Sequence, residues 1–494
     1  MLFNSIHFLI FFPIVVALYL VLPRKAKSVW LLLSSYYFYM AWNPKYIVLI
    51  LFTTVVTYVC GLLIGRQKTA AKKKLCMAIG FTLNFGLLFF FKYFDFFLHN
   101  LSRALSVFGI SAIDNPFDFL LPVGISFYTF QAVGYCIDVY RGEIKAERNF
   151  IRYALFVSFF PQLVAGPIER SKNLLSQIDR VEKERLWNRD KIVSGAGMML
   201  WGLFMKMVIA DRVSIFVDNI FANIYAIGTV ETVAGALGFS LQIYADFAGY
   251  SAIAIGAARV MGFELMENFN TPYFATSIAD FWHRWHISLS TWFRDYLYIP
   301  LGGNRKGTFR KYLNVMITFL VSGLWHGAAW GYVLWGGLHG AYQIIGALLK
   351  PVREKLVKVF RMKKESFSFH FGQILITDCL VVFAWIFFRA GSLGTAFEYI
   401  SKMFGRPDLW ALFDESLFTF GLERPEMGIL AAAVLALFAV SVIRYKKGID
   451  IGEFLLGQDL WFRWVALIVL IICIIVFGEY GINFDSGKFI YFDF

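Results

Sequence analysis

The chain has 494 residues, of which 59% are apolar and 16% charged, and phenylalanine alone occurs 55 times. Soluble proteins carry roughly 25% charged residues, so a soluble enzyme, a disordered chain and a collagen-like chain are excluded. The net charge of +13 lies in short cationic runs between apolar segments, where the positive-inside rule puts cytosolic loops; no nucleic-acid partner is expected.

The apolar runs are continuous and about 15–25 residues long, which predicts membrane helices rather than the ~10-residue alternating strands of a barrel. In chain order they cover 6–22, 29–42, 46–64, 77–98, 118–138, 152–166, 195–221, 232–262, 313–349 (long enough for two), 372–390, 428–443 and 461–478. The expected fold is an all-α polytopic membrane protein with about eleven to thirteen membrane helices, re-entrant elements included, around a central cavity. It forms one embedded domain over 1–494: N-terminal helices 1–115, a core 116–350 with a motif region 244–340, and C-terminal helices 351–494.

The first run lacks basic residues before it, and Arg24, Lys25 and Lys27 follow it. That order predicts an anchor with the N-terminus outside, and no A-x-A cleavage site is present. The cationic runs 66–74, 350–364 and 444–447 are assigned to the cytosol, and the weakly charged stretch 99–117 to the outside. Residues 168–191 mix both charges; an amphipathic cytosolic helix and a solvated linker fit them equally. Segments 152–166 and 274–303 read as re-entrant or interfacial pieces that line a cavity, since irregular backbone at membrane depth needs protein or water around it.

The five cysteines (Cys60, Cys76, Cys136, Cys379, Cys473) form no CxxC pair, so neither a disulfide framework nor a zinc site is expected. No P-loop or G-x-G-x-x-G occurs, which argues against an ATP-driven pump.

The chemistry concentrates between 244 and 340. Phe281–Tyr296 holds two histidines, two arginines, an aspartate and three tryptophans. An interfacial aromatic belt with snorkelling arginines is one reading, and a site is the other; the histidine pair favours the site. His283 and His286 stand at i, i+3, a spacing that puts them on one helical face; no metal is expected there, because the zinc-protease pattern needs i, i+4 with a Glu between. In Val321-Ser-Gly-Leu-Trp325-His326-Gly-Ala-Ala-Trp330, one histidine sits in a long apolar run. An ionisable residue inside a membrane is functional by default. His339 lies thirteen residues on, about 140° away on a straight helix, so the two share a site only if the helix breaks; Gly336-Gly337 makes a break there plausible. Asp246, in Gln242-Ile-Tyr-Ala-Asp-Phe-Ala-Gly-Tyr-Ser251, reads as a buried carboxylate paired to an arginine. Pro161-Gln-Leu-Val-Ala-Gly-Pro167 reads as a helix terminator.

These blocks resemble the membrane-bound O-acyltransferases, most of all the bacterial alginate O-acetyltransferase branch. The likeness runs over nearly the whole chain. It is carried by the opening Met-Leu-Phe-Asn-Ser, Pro122-Val-Gly-Ile-Ser-Phe-Tyr-Thr-Phe130, Phe160-Pro-Gln-Leu-Val-Ala-Gly-Pro-Ile168, Tyr244-Ala-Asp-Phe-Ala-Gly-Tyr-Ser251, Asp280-Phe-Trp-His-Arg-Trp-His-Ile-Ser-Leu-Ser290, Gly323-Leu-Trp-His-Gly327 and the closing Phe489-Ile-Tyr-Phe492.

The resemblance implies transfer of an acyl group, acetyl in that branch, from a cytosolic thioester across the bacterial inner membrane for O-acetylation of an extracytoplasmic polysaccharide. Alternatives are D-alanyl transfer to a cell-wall polymer, whose branch this chain resembles less, and a polysaccharide or lipid transporter using His326 and Asp246 as a proton relay. The family's catalytic histidine matches His326 and its second motif histidine matches His286; His283 falls where the family varies. Ala252 stands where the family usually has Asp. A neutral imidazole near its ordinary pKa of about 6.5 can take the proton of an incoming hydroxyl. His326 is expected to do so from a hydrated cavity lined by Trp325, Asp246 and His339. Arg294, Arg305 and Lys306 are expected to hold donor phosphates. No bound cofactor is implied; the donor is acetyl-CoA or another acyl thioester. Expected partners are membrane lipids and an extracytoplasmic acetyltransferase or polysaccharide-modifying protein.

Overall fold

The computed structural model describes residues 1–109, 121–405, 407–480 and 490. The expectations for 110–120 and for most of the closing Phe489–Phe492 motif lie outside these residues. Everything described is helix, turn or loop, with no strand. Among the described residues six helical stretches are long and apolar enough to cross a membrane: Pro44–Arg66, Ala70–Ser106, Arg189–Ala222, Phe367–Arg389, Arg424–Lys447 and Leu460–Phe477. The chain is a multi-pass, all-helical membrane protein, as its hydropathy predicts.

Contacts divide the chain into two compact units, 1–196 with 253–266, and 197–252 with 267–494. The first holds α1 (Ile6–Val21), α2 (Arg24–Met40), α3 (Ile47–Arg66), α4 (Ala70–Leu88), α5 (Phe94–Ser106), α6 (Ile125–Arg141), α7 (Phe150–Ser158), α8 (Phe160–Leu163) and α9 (Ser171–Val181). Local chemistry sets several boundaries. Ser5 caps α1 by accepting the Phe8 N–H. Glycines in the left-handed region bracket α6, Gly124 at φ 77° and Gly142 at φ 75°, where a side chain would be strained.

Residues 150–163 break into two short helices, and their side chains are buried from Tyr153 onward. The mixed-charge stretch 168–191 resolves into both of its readings. α9 buries Ser171, Leu174, Gln177, Ile178 and Val181, a 3.6-residue stripe, and a non-helical link follows it. Its polar side is tied down too: Arg152 of α7 pairs with Asp179 and, at 2.5 Å, with Glu182.

α10 (Arg189–Phe204) and α12 (Thr229–Val260) start or end in the first unit and continue into the second, with α11 (Asp211–Ala222) between them. The second unit then holds two short helices, α13 (Ile278–Arg284) and α14 (Ile287–Phe293), followed by α15 (Gly307–His326) and α16 (Trp330–Leu348). After these come α17 (Lys350–Val359), α18 (Phe367–Arg389), α19 (Leu393–Gly405), α20 (Arg424–Lys447), α21 (Ile451–Leu456) and α22 (Leu460–Phe477).

The run 313–349 does supply two helices, but the break falls at 327–329, immediately after His326, and not at Gly336-Gly337. Those glycines serve packing instead. A Cβ on Gly323 would collide with the Tyr332 carbonyl oxygen, and one on Gly336 with the Phe319 carbonyl oxygen. α15 and α16 therefore touch backbone to backbone, as small residues permit in membrane helices. Gly336→Ala should force the pair apart and lower stability by about 1–3 kcal/mol, the usual cost of overpacking. Gly346→Ala, where an added methyl meets nothing within 4 Å, should leave the detergent-solubilised melting temperature unchanged; equal melting temperatures for both variants would refute the close contact.

Candidate active site

α15 ends on His326, and its ring lies among other rings. Trp335 stands edge-on at 5.0 Å between centroids, Trp325 at 5.0 Å and Phe388 of α18 at 5.5 Å. His286 is next, with its ring centroid 6.4 Å away. The two histidines singled out in the sequence thus converge, across forty residues of chain. The hydrated setting expected for His326 is not what surrounds it: the residue is 3% exposed, covered by Trp325 of its own helix, Trp335 of α16 and Phe388 of α18.

His286 reaches this place through a strained backbone. It adopts φ 44°, the left-handed region, at the junction of α13 and α14. The expected common face of His283 and His286 does not form, since α13 stops at Arg284 and the chain turns between the two residues. The His286 ring is fixed by Asn268, whose Oδ1 lies 3.0 Å from Nδ1 and also accepts the Ser288 hydroxyl at 2.9 Å. Asn268 Nδ2 donates to Ser251 Oγ at 3.0 Å. An amide oxygen can only accept, so Nδ1 carries the proton and Nε2 is the acceptor nitrogen. Asn268 escaped the sequence reading; an asparagine in a polar loop has no periodic or spacing signal.

The segment that carries His286 is not an aromatic belt at the water interface. Trp282, Trp285 and Trp292 are buried, and Arg284 is paired to Asp280 at 2.8 Å within its own helix. It runs alongside α15: His286 lies near the last residue, while Asn314, three turns earlier, donates to the Gly303 carbonyl at 2.9 Å.

Between this segment and the α15–α16 pair is a cavity of about 540 Å³. One face of α15 lines it through Lys311, Val315, Thr318, Phe319 and Ser322, opposite Trp282, His283, Ser290, Thr291 and Arg294. Stepping four residues beyond Ser322 reaches His326. Lys311 to Ser322 spans about 16 Å of helix. Of the three expected phosphate ligands, Arg294 lines the cavity and is paired to Asp295 at 2.7 Å. Arg305 and Lys306 are exposed in the turn before α15 and are not among its lining residues, whereas Lys311 is. Its signal was legible: positions 311, 315, 318, 319, 322 and 326 form one helical stripe.

Trp325, His339 and Asp246 are buried and do not line this cavity either. His339 accepts the Trp282 indole N–H at 3.2 Å. Asp246 belongs to an ion cluster: Lys206 Nζ lies 2.8 Å from it and 2.7 Å from Asp211. Its partner is a lysine, not an arginine. Lys206 sits in a π-helical turn over 205–210 between α10 and α11, a distortion with no sequence mark.

Residues 143–369 match the membrane-bound O-acyltransferase family. The chain is 38% identical over 451 residues to the probable alginate O-acetylase of Azotobacter vinelandii, covering 90% of this chain and 85% of that protein. It is 35% identical over 438 residues to the peptidoglycan O-acetyltransferase of Helicobacter pylori, covering 82% and 80%. A teichoic acid D-alanyltransferase of Bacillus subtilis is 30% identical over 239 residues, covering 45% of this chain and 58% of that protein. The chain belongs to the membrane-bound O-acyltransferase family. It is an O-acyltransferase embedded in a membrane, and the family resemblance read from its motifs is correct.

In this O-acyltransferase the Lys206 cluster is a structural anchor of the second unit. Lys206→Met leaves Asp211 and Asp246 facing each other without a cation, and should cost about 3–5 kcal/mol. Asp246→Asn keeps the Lys206–Asp211 pair and should cost clearly less. Melting temperatures of the solubilised variants check the order; a Lys206→Met protein as stable as the parent would refute it.

Proposed function

We propose that the protein moves an acetyl group from a cytosolic acyl thioester, acetyl-CoA or a related donor, toward hydroxyls of an extracytoplasmic polysaccharide in a bacterial inner membrane. The observation that carries this reading is the 540 Å³ cavity, lined by the cations Arg294 and Lys311 and, about 16 Å of helix beyond Lys311, by Ser322, one helical turn from His326. Cations suit donor phosphates, and the remaining length of the slot suits the uncharged arm that ends in a thioester.

His326 acts as general base. Its neutral imidazole takes the proton of the acceptor hydroxyl as the oxygen attacks the thioester carbonyl carbon. The C–S bond then breaks, and the leaving sulfur takes the proton back from the imidazolium. His286, with Nδ1 fixed by Asn268, presents Nε2 as a second acceptor beside the site and helps to orient the hydroxyl. The surrounding rings exclude water, which would otherwise compete for the thioester.

Orientation is supported by charge and parity. Take α7–α8 and α13–α14 as re-entrant and every other long helix as one crossing. The runs after α1, after α3, after α16 and after α20 then fall on one side, and these hold Arg24–Lys27, 66–74, 350–364 and 444–447. The positive-inside rule makes that side the cytosol and puts the N-terminus outside. Lys311, at the start of α15, then lies toward the cytosol and His326 toward the far side. An extracytoplasmic acetyltransferase that carries the group onward to the polymer is the partner this orientation calls for. The more extensive match to the O-acetyltransferases than to the D-alanyltransferase favours acetyl over D-alanyl.

Purified protein in liposomes, given labelled acetyl-CoA and a hydroxyl acceptor, should release thiol and label that acceptor. His326→Ala should lower transfer by at least ~100-fold while the protein keeps its melting temperature; full activity in that variant would overturn the role of His326. Arg294→Gln with Lys311→Gln should raise the donor KM about tenfold or more and leave kcat near the parent value, each charged contact being worth about 1.5–3 kcal/mol. An unchanged KM would remove the cavity from the donor path.

A further inference from the structure

Trp282 lies on two boundaries at once. Its indole lines the cavity and packs against Trp335, centroid to centroid 5.7 Å, and Trp335 in turn stands edge-on to His326 at 5.0 Å. Two indoles, the outer at the cavity and the inner at the imidazole, thus link the slot to His326. The outer one is tethered: its Nε1–H donates to His339 Nδ1 at 3.2 Å, and the His339 ring itself touches Trp335 at 5.0 Å. His339 is fully buried in the middle of α16. Accepting that N–H requires Nδ1 to be bare, so the imidazole is neutral with its proton on Nε2. An apolar residue of similar size would fill the same space; only a nitrogen or oxygen acceptor there satisfies the indole, and leaving that N–H buried without one is costly.

We propose that Trp282 and His339 are positioning residues for the acyl transfer: the Trp282–His339 hydrogen bond holds the indole wall that closes the donor cavity against His326, and so decides whether water or the acceptor hydroxyl meets the thioester. The inference deepens the proposed function and rests on the reading of this cavity as the donor site. Loosening the wall lets water add to the carbonyl carbon; the C–S bond breaks, the sulfur leaves with a proton, and free acetic acid is released in place of the transferred ester.

Three variants separate the hydrogen bond from the packing. Trp282→Phe keeps an aromatic wall and removes the donor. His339→Leu removes the acceptor. His339→Asn keeps an acceptor oxygen near the position of Nδ1. Two readouts are taken on the full protein in nanodiscs: the rate at which diethyl pyrocarbonate modifies His326, followed by peptide mass analysis, and the ratio of acetyl-CoA hydrolysis to transfer. Trp282→Phe and His339→Leu should each raise both by about five-fold, the scale of one net hydrogen bond. The double variant should do no more than either single one, and His339→Asn should match the parent. Unchanged modification of His326 in Trp282→Phe and His339→Leu overturns the proposal, as does a His339→Asn protein that behaves like His339→Leu. The first readout does not depend on catalysis. If modification accelerates as expected while His326→Ala still transfers acetyl, the wall stands and the catalytic reading of His326 falls.

Discussion

The backbone contact between α15 and α16 governs everything around it. Gly323 and Gly336 let the two helices meet with no side chain between them. That closeness has a direct consequence for the site. Trp335 is the residue just before Gly336 on α16, and His326 lies three residues beyond Gly323 on α15, so the two rings share the same small volume. A bulkier residue at either glycine would widen the gap and leave the imidazole without its edge-on neighbour. The turn at 327–329 is short and built of small residues, as in an αα-hairpin.

Against this rigid pair the segment that carries His286 is irregular. It combines two short helices, a left-handed histidine and a π-helical turn over 294–298. Such backbone leaves polar groups that lipid would not satisfy, and the protein answers with side chains. Asn268 Oδ1 accepts the Ser288 backbone N–H at 3.4 Å besides meeting the His286 ring and the Ser288 hydroxyl, and Asn314 reaches the Gly303 carbonyl. Irregularity and polarity come together because each requires the other. The Lys206 cluster applies the same rule one layer away, where a lysine inside the membrane is tolerable because two carboxylates face it.

Much of this was legible in the sequence, for identifiable reasons. Membrane helices follow from the length of an apolar run, a property summed over twenty residues that a single turn cannot disguise. His326 stood out because an ionisable group in such a run is rare. Local geometry was harder. Gly336-Gly337 suggested a break, since glycine weakens helices in water; inside a membrane the same residue serves close packing. His283 and His286 have helical spacing, yet nothing in the residue types says that the chain turns between them. The partner of Asp246 lies forty residues away in a π-helical turn, and long-range pairs of this kind leave no local pattern. Arg305 and Lys306 drew notice as a charged pair beside a membrane helix, whereas Lys311 is defined by the face it shares with Ser322 and His326. Position on a face mattered more than density of charge.

That face also explains why burial of His326 and its proposed chemistry are compatible. Read along α15, the stripe goes from a cation at 311 through a threonine and an aromatic ring to a serine at 322 and then to the imidazole at 326. Its formal charge is confined to position 311, and beyond it apolar Val315 and Phe319 alternate with the uncharged polar Thr318 and Ser322. In the proposed function, a donor with charged phosphates at one end and a small acyl group at the other would lie along it in that order. A general base exposed to bulk water would activate water as well as the acceptor hydroxyl, and the thioester would be lost to hydrolysis. Enclosing the imidazole in tryptophan and phenylalanine keeps the thioester for the acceptor. The cost is that some ring must move for each turnover, and the ring best placed to do so is the one that borders the cavity and is held by a single hydrogen bond.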